Sequence, residues 1–264
     1  MEQERIESRS LTLEELTALM EELGEKRFRA KQLYQWLHVH RAASYEEMTN
    51  LPKSLLAKLA ERTSLTVLRQ ETVQVSGLDG TRKYLFALPD GNLIESVLMR
   101  YQHGNSVCIS SQAGCRMGCR FCASAIGGLV RGLTAAEMAE QVYRIGRDTG
   151  ERISHVVVMG TGEPLDNYDN LLRFLALLTD ENGLHISQRN ITVSTCGIVP
   201  RIRQLADERL SITLAISLHA ATQEKRRELM PVADRYGLPE LMEACRYYFD
   251  RTGRRVTFEY SLVA

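Results

Sequence analysis

From residue 106 onward, the sequence alternates strand-like apolar runs with segments of helical periodicity, and this pattern limits the possible folds more than any other feature. The strand-like runs are rich in β-branched residues, and in chain order they are SVCISS, ISHVVVMG, NITVSTCG, SITLAISLH and RVTFEYSLV. Helical segments begin at Thr134 and lie near 168–179, 199–207 and 238–250. Strands that alternate with helices predict a parallel sheet, and apolar strands predict a sheet covered on both faces or closed into a barrel.

The first 64 residues lack strand-like runs and predict a small helical module. Capping boxes, in which a Ser or Thr is followed three positions later by Glu, occur at Thr12–Glu15 and Ser44–Glu47. Pro52 precedes a third apolar-periodic stretch. The basic cluster KRFRAK at 26–31 fits nucleic acid, but a solvated helix face is an equally good interpretation.

Residues 65–104 read as a short antiparallel meander between the module and the alternating region. The runs LTVLRQETVQV, TRKYLFAL and NLIESVLMRY are strand-like, and Asp-Gly pairs separate them as turns. We therefore predict three parts, namely an RNA-binding helical domain at 1–64, the meander at 65–104 and an α/β core at 105–264.

Three cysteines, Cys115, Cys119 and Cys122, form a C-x3-C-x2-C motif in the loop after the first core strand. Thiolates favour zinc or iron–sulfur clusters. A structural zinc needs a fourth ligand, and no second cysteine pair follows. A four-iron cluster held by three cysteines would instead leave one iron open to a small molecule. Burial of such a cluster favours nearby cations, which Arg116 and Arg120 could supply.

The sequence gives no sign of a membrane or secreted protein. No apolar run approaches the roughly 20 residues that span a bilayer, and the N-terminal MEQERIESRS is too polar for a secretion signal. We therefore expect a cytoplasmic protein, in which clustered cysteines serve metals or redox chemistry more often than structural disulfides. Basic and acidic residues number 33 each, so nucleic acid binding would need a local basic patch.

The cysteine motif, with Phe121 before its last member, resembles the signature of radical S-adenosylmethionine (radical SAM) enzymes. The resemblance implies a partial (βα)6-type barrel, a [4Fe-4S] cluster on the three cysteines, S-adenosylmethionine (SAM) on the open iron, and an electron-donor protein. Gly162 and Glu163, which follow the second core strand, resemble the family's GGE motif for SAM. The ends of the next two strands would complete the SAM pocket through Ser194 and the run Ser217, Leu218 and His219.

Almost the whole chain resembles the RNA adenine C2-methyltransferases, radical SAM enzymes that act on large-subunit (23S) ribosomal RNA and on transfer RNA. The matching segments are FRAKQLYQWL, IESVLMRY, CISSQAGCRMGCRFCAS, MGTGEPLDN, NITVSTCGIVP, ISLHAA and RRELMPV. The resemblance implies that Glu95 is the proton acceptor and that Cys108 forms a transient disulfide with a methylated cysteine near the C-terminus. Without it, Cys108 would be interpreted as a buried strand residue. We expect Cys196 and Cys245 to be structural.

Compared with the family pattern, the chain ends at SLVA, directly after the fifth core strand. The pattern continues with a sixth strand, an asparagine that helps to bind SAM, and the methyl-accepting cysteine. We therefore expect a truncated, monomeric chain that ligates a cluster but does not complete RNA methylation alone. We also expect an unpaired sheet edge at RVTFEYSLV.

Three alternatives remain open from the sequence. The first is the related family that methylates adenine at C8, although its GEA motif differs from Glu163-Pro164 here. The second is a radical SAM enzyme with a substrate other than RNA. The third is an RNA-binding or zinc protein without catalytic activity.

Overall fold

The computed structural model describes residues 5–262. The N-terminal part contains a two-stranded parallel pair and three helices. Their bounds are β1 (Ile6–Glu7), α1 (Leu13–Glu22), α2 (Phe28–His38), α3 (Lys53–Arg62) and β2 (Thr63–Ser64). The predicted helical module is thus confirmed as secondary structure.

The two predicted capping boxes have different outcomes. The first is formed, because Glu15 N donates to Thr12 Oγ1 at 3.2 Å and Thr12 N donates to Glu15 Oε2 at 2.8 Å. The second prediction is wrong. Residues Tyr45–Glu47 form only a short 3-10 helix that the Ser44 side chain does not cap. The reason is that the Glu47 carboxylate accepts the N–H of Ala43 instead, at 3.2 Å.

The remaining strands and helices follow the predicted alternation closely. The strands are β3 (Arg69–Val75), β4 (Arg82–Ala87), β5 (Leu93–Tyr101), β6 (Gly104–Ile109), β7 (Gln112–Gly114), β8 (Leu129–Gly132), β9 (Ile153–Val158), β10 (Ile191–Thr195), β11 (Thr213–Ser217) and β12 (Val256–Glu259). The helices are α4 (Ala135–Thr149), α5 (Tyr168–Thr179), α6 (Val199–Asp207), α7 (Gln223–Leu229), α8 (Val232–Arg235) and α9 (Leu238–Thr252). The sequence patterns did not predict the short β7–β8 hairpin or helices α7 and α8.

One eight-stranded sheet contains both the meander and the core strands, in the order β12-β11-β10-β9-β6-β5-β4-β3. The five core strands are parallel, and β3, β4 and β5 continue the sheet in antiparallel fashion. The α/β fold with a partial barrel is thereby confirmed. Strand β12 lies at one edge of the sheet, as expected for RVTFEYSLV.

Helix α4 is buried on two sides, because it covers the sheet and also contacts the N-terminal module. Its capping box at Thr134 and Glu137 is formed as predicted. Apolar residues such as Met138 and Val142 belong to the same continuous core as the module's Leu33. No helix in the described range is both long and apolar enough to cross a membrane.

Candidate active site

A cavity of about 170 Å³ lies at the carboxyl ends of the parallel strands, where ligands collect in folds of this kind. Its wall includes eight of the eleven residues predicted for the site, namely Cys115, Cys119, Cys122, Gly162, Glu163, Ser194, Ser217 and His219. The other three, Glu95, Cys108 and Leu218, do not line it.

The backbone around the cysteine loop brings its two ends together. The hairpin of β7 and β8 closes the loop, and Cys115 N donates to Gly128 O at 2.9 Å. Gly114 has a φ of +76°, and a Cβ there would lie 2.0 Å from Gly128 O. Only glycine fits this close approach. On the other side, Arg120 N donates to Leu229 O at 2.9 Å, which joins the loop to the end of α7.

The three motif thiols lie together on the wall of this cavity. All six cysteines of the chain are free in the described part. Within residues 5–262, no group of three His, Cys, Asp or Glu side chains is placed closely enough to hold one metal ion, although the three thiols share the cavity. Burial raises the pKa of the Cys115 thiol. Burial and the neighbouring thiols of Cys115 and Cys122 raise the pKa of Cys119 to about 11. Since metals bind thiolates, any metal held by these cysteines would have to displace their protons.

Glu163 is fully buried and shapes the loop after β9. Its Oε1 accepts the N–H of Leu165 at 3.0 Å, and its Oε2 accepts the N–H of Cys196 at 2.8 Å. Burial raises the pKa of this carboxyl, while the hydrogen bonds from Cys196, Thr195 and Leu165 oppose that shift. The carboxylate therefore links the ends of β9 and β10 through backbone groups.

Gly162, beside Glu163, lies in close contact with Gln112 below the cavity. Its φ is +110°, and a Cβ there would lie 2.6 Å from the Cβ of Gln112. The Gln112 side chain in turn accepts the N–H of Glu163 at 2.8 Å through Oε1. Glycine at position 162 thus lets this turn pack directly against Gln112, whose side chain holds the backbone of Glu163.

Ser194 and Ser217 are joined by a carboxylate that the sequence patterns did not reveal. Both hydroxyls donate to Oε2 of Glu259, at 3.1 Å and 3.0 Å respectively. Glu259 ends β12 and lines the same cavity. Its backbone carbonyl accepts the N–H groups of Leu218 and His219, both at 3.0 Å. Leu218 is therefore held by its backbone, with its side chain outside the cavity.

His219 lies in the left-handed region of the backbone, with a φ of 54°. Its ring stands edge-on to Phe121, with 4.8 Å between ring centroids, and its Nδ1 is 3.1 Å from Ser261 Oγ. Burial is the main cause of the lowered pKa of this imidazole, which favours the neutral form. His219 thus joins the cysteine loop to the end of the fourth core strand.

The sheet register places Cys108 and Glu95 on one face. Cys108 pairs with Val97, and Glu95 lies two residues from Val97 on the same strand, so all three share a side of the sheet. Burial is the main cause that raises the pKa of Cys108 to about 11, and the N–H of Met159 in the cavity wall contacts the thiol. Glu95 is half-exposed and pairs with Lys83 at 2.6 Å.

The charges near the motif differ from those expected. Arg116 forms an ion pair with Asp166 and is largely exposed. The fully buried cation of this region is Arg226 on α7, which begins the matching segment RRELMPV but to which the sequence analysis assigned no role.

The comparisons with known proteins agree with this geometry. Residues 9–65 match the family model of the ribosomal RNA large subunit methyltransferase N-terminal domain, and residues 109–263 match that of the radical SAM superfamily. The probable dual-specificity RNA methyltransferase RlmN of Lachnospira eligens is 61% identical over 255 residues, which are 97% of this chain and 73% of that protein. The RlmN of Lachnoclostridium phytofermentans is 58% identical over 260 residues, with 98% and 73% covered.

A crystal structure of a radical SAM methyltransferase from Sphaerobacter thermophilus superimposes with a TM-score of 0.91 at 45% identity. The superposition covers 97% of this chain and 76% of the Sphaerobacter chain. The match includes both the helical module and the partial barrel. From these relatives and from the site itself, we conclude that the chain belongs to the RlmN family of dual-specificity RNA methyltransferases, within the radical SAM superfamily.

Proposed function

We propose that this protein functions in the methylation of C2 of adenine in large-subunit ribosomal RNA and in transfer RNA by radical SAM chemistry, and that residues 1–264 supply the cluster site, the SAM site and an RNA-binding module for that reaction. The observation that carries the proposal is the convergence of three free thiols and five predicted SAM contacts on one cavity. The relatives named above are described as dual-specificity RNA methyltransferases, which supports RNA as the substrate.

In this proposal, Cys115, Cys119 and Cys122 hold a [4Fe-4S] cluster. Gly162 and Glu163 present their backbone to SAM, and the ends of the next two core strands contribute Ser194, Ser217, Leu218 and His219. When bound, the cluster and SAM supply a carbon radical by reductive cleavage of the sulfonium, with the electron from a donor protein. The strands fix the geometry, because each contact lies at a strand end or on a loop closed by backbone hydrogen bonds.

Glu95 would accept the proton that leaves C2 of adenine, and Lys83 would orient its carboxylate through their ion pair. Cys108 would release the product by attacking the sulfur of the methylated cysteine that the family carries near its C-terminus. The new S–S bond would replace the bond between that sulfur and the transferred carbon, whose electron pair would stay with the product. The raised pKa of Cys108 keeps the thiol protonated near pH 7, so it reacts only after a proton has been removed. Both residues lie on one sheet face, and the Cys108 thiol contacts Met159 of the cavity wall, which supports these roles.

The proposed domain division assigns residues 1–64 to RNA binding, 65–104 to the linking meander and 105–264 to the radical SAM core. About half of the surface of Phe28 in the helical module is exposed to solvent. The Arg29 guanidinium carbon lies 4.8 Å from the centroid of the Phe28 ring. Lys26 and Lys31 flank this pair in sequence. A cationic and aromatic surface of this kind suits phosphates and unstacked bases, and the target adenine must be unstacked to be reached.

Anaerobic reconstitution with iron and sulfide tests the proposal. We expect about four iron ions per chain and, with a reductant, cleavage of SAM to 5′-deoxyadenosine. Cys119→Ala should lose both the iron and the cleavage of SAM. Cys245→Ala should keep both, because Cys245 is a buried residue of α9 outside the cavity. Binding of one zinc ion in place of the cluster would contradict the proposal.

RNA recognition is tested separately on the full chain. Lys26→Ala together with Arg29→Ala should weaken binding of a ribosomal RNA hairpin by about tenfold or more, and should reduce the salt dependence of that binding. A matched control is Arg189→Ala, an exposed cation just before β10 in the core, outside the helical module. Equal affinities of both variants would argue against the module as the RNA-binding domain.

A further inference from the structure

Arg226 lies beneath the strand ends that form the cavity. Its side chain is 0% exposed, and its Nη2 donates to Cys196 O at 2.6 Å and to Ser217 O at 3.4 Å. These carbonyls belong to the ends of β10 and β11. Gly197 makes room for the guanidinium, since a Cβ there would lie 3.2 Å from Nη2.

This buried cation has no anionic partner among residues 5–262. No carboxylate lies within 4.0 Å of it, and its Nε and Nη1 donate to no protein atom. Arg9, the other fully buried arginine, is different, because Glu140 matches its charge. A buried guanidinium without a counter-charge is costly, so its environment must supply negative charge in the functional state.

The groups near Arg226 that can become anionic are thiols. Cys119, Cys196 and Cys245 lie within electrostatic reach of the guanidinium. The hydrogen bond from Arg120 N to Leu229 O also joins the cysteine loop to the helix that carries Arg226. Cys119 is a proposed cluster ligand, and a cluster held by three thiolates carries net negative charge.

We propose that Arg226 is the internal counter-charge of the cluster and favours its reduced form. The inference rests on the proposed function, because it requires the cluster. Reduction adds one electron and therefore one negative charge, which a fixed cation in a medium of low dielectric constant stabilises. Net charge and burial are the factors through which proteins set cluster potentials.

The reduction potential of the reconstituted cluster tests this role in three variants. Arg226→Gln should lower the ratio of reduced to oxidised cluster at a fixed potential by about tenfold or more, and tenfold equals 59 mV for a one-electron couple. Arg226→Lys should stay nearer to the wild-type potential. The control is Arg227→Gln, which changes a half-exposed neighbour paired with Asp234. It should leave the reduction potential of the cluster unchanged.

A potential in Arg226→Gln equal to that of the wild type, at full iron content, would overturn the role. If Arg226→Gln takes up no iron while Arg226→Lys takes up the full complement, the positive charge is needed for assembly, which supports it. If neither Arg226→Gln nor Arg226→Lys takes up iron, Arg226 is needed for packing and not for its charge, and the counter-charge role is overturned. A wild-type chain that takes up no cluster would instead refute the proposed function.

A second measurement compares thermal unfolding with and without the cluster. Arg226→Met removes an uncompensated charge from the cluster-free protein, so its unfolding temperature should be unchanged or higher. Cluster binding should then raise the unfolding temperature less in the variant than in the wild type. An equal increase in both proteins would count against the counter-charge.

Discussion

The imidazole of His38 and the phenol of Tyr143 are hydrogen-bonded, with 2.8 Å between Nδ1 and Oη. The contact joins α2 of the N-terminal module to α4 of the core. His38 is fully buried, and its Nε2 has no partner among the described residues. Burial is the main cause that lowers its pKa from 6.5 to about 3, so the folded protein holds this imidazole neutral.

Acid should therefore destabilise the fold through His38. Below about pH 6.5 the unfolded chain gains a proton that the folded chain does not accept until about pH 3. The free energy of unfolding should fall in this window by up to about 1.4 kcal/mol per pH unit. Chemical denaturation at several pH values measures the slope. His38→Gln should reduce it, whereas His40→Gln, at an exposed position of the same module, should not; equal slopes in all three proteins would refute the assignment.

The buried ion pair of Arg9 and Glu140 should make the module and the core unfold together. Arg9 also donates to Ala42 O at 2.5 Å and to Thr66 O at 2.6 Å, and Arg147 donates to Glu140 at 2.8 Å. Loss of one partner leaves a buried charge unmatched, so Glu140→Gln should cost about 3–5 kcal/mol of unfolding free energy.

A double-mutant cycle separates the pair from its surroundings. Arg9→Met with Glu140→Gln should cost less than the two single changes added together, because neither charge then remains unmatched. Glu22→Gln, in an exposed pair with Arg62 at 3.8 Å, is the control and should cost less than about 1 kcal/mol. Additive losses at Arg9 and Glu140 would show that the pair is not coupled.

Gly114 should be necessary for the shape of the cysteine loop. In Gly114→Ala, the φ of +76° becomes strained by about 1–3 kcal/mol, and the new methyl group overlaps Gly128 O. We expect the reconstituted variant to lose iron faster than the wild type when a chelator is added. Gly127→Ala is the matched control in the same loop, because its Cβ would meet no atom within 4 Å. Iron loss at the same rate in both variants would contradict this account.

The sequence predicted what depends on local pattern. Apolar runs predicted the five core strands, and the spacing of three cysteines predicted that they share one site, because both signals lie within short segments. Glu259 and Arg226 were missed because their importance arises from contacts across the chain. Ser194 reaches Glu259 over 65 positions, and Arg226 reaches Cys196 over 30. The capping box at Ser44 failed because Glu47 had a competing backbone donor nearby.

Glu163 should stabilise the cavity floor through its carboxylate even before any cofactor binds. Each of its oxygens accepts one buried backbone N–H, from Leu165 and from Cys196. In Glu163→Gln, one oxygen is replaced by an NH2 group, so one of these donors must lose its acceptor. An unsatisfied buried donor costs about 1–3 kcal/mol, and we expect this loss in the unfolding free energy of the cluster-free protein. Glu181→Gln, at an exposed position, should change it by less than about 0.5 kcal/mol. If Glu163→Gln is as stable as the wild type, the carboxylate does not hold the two strand ends together.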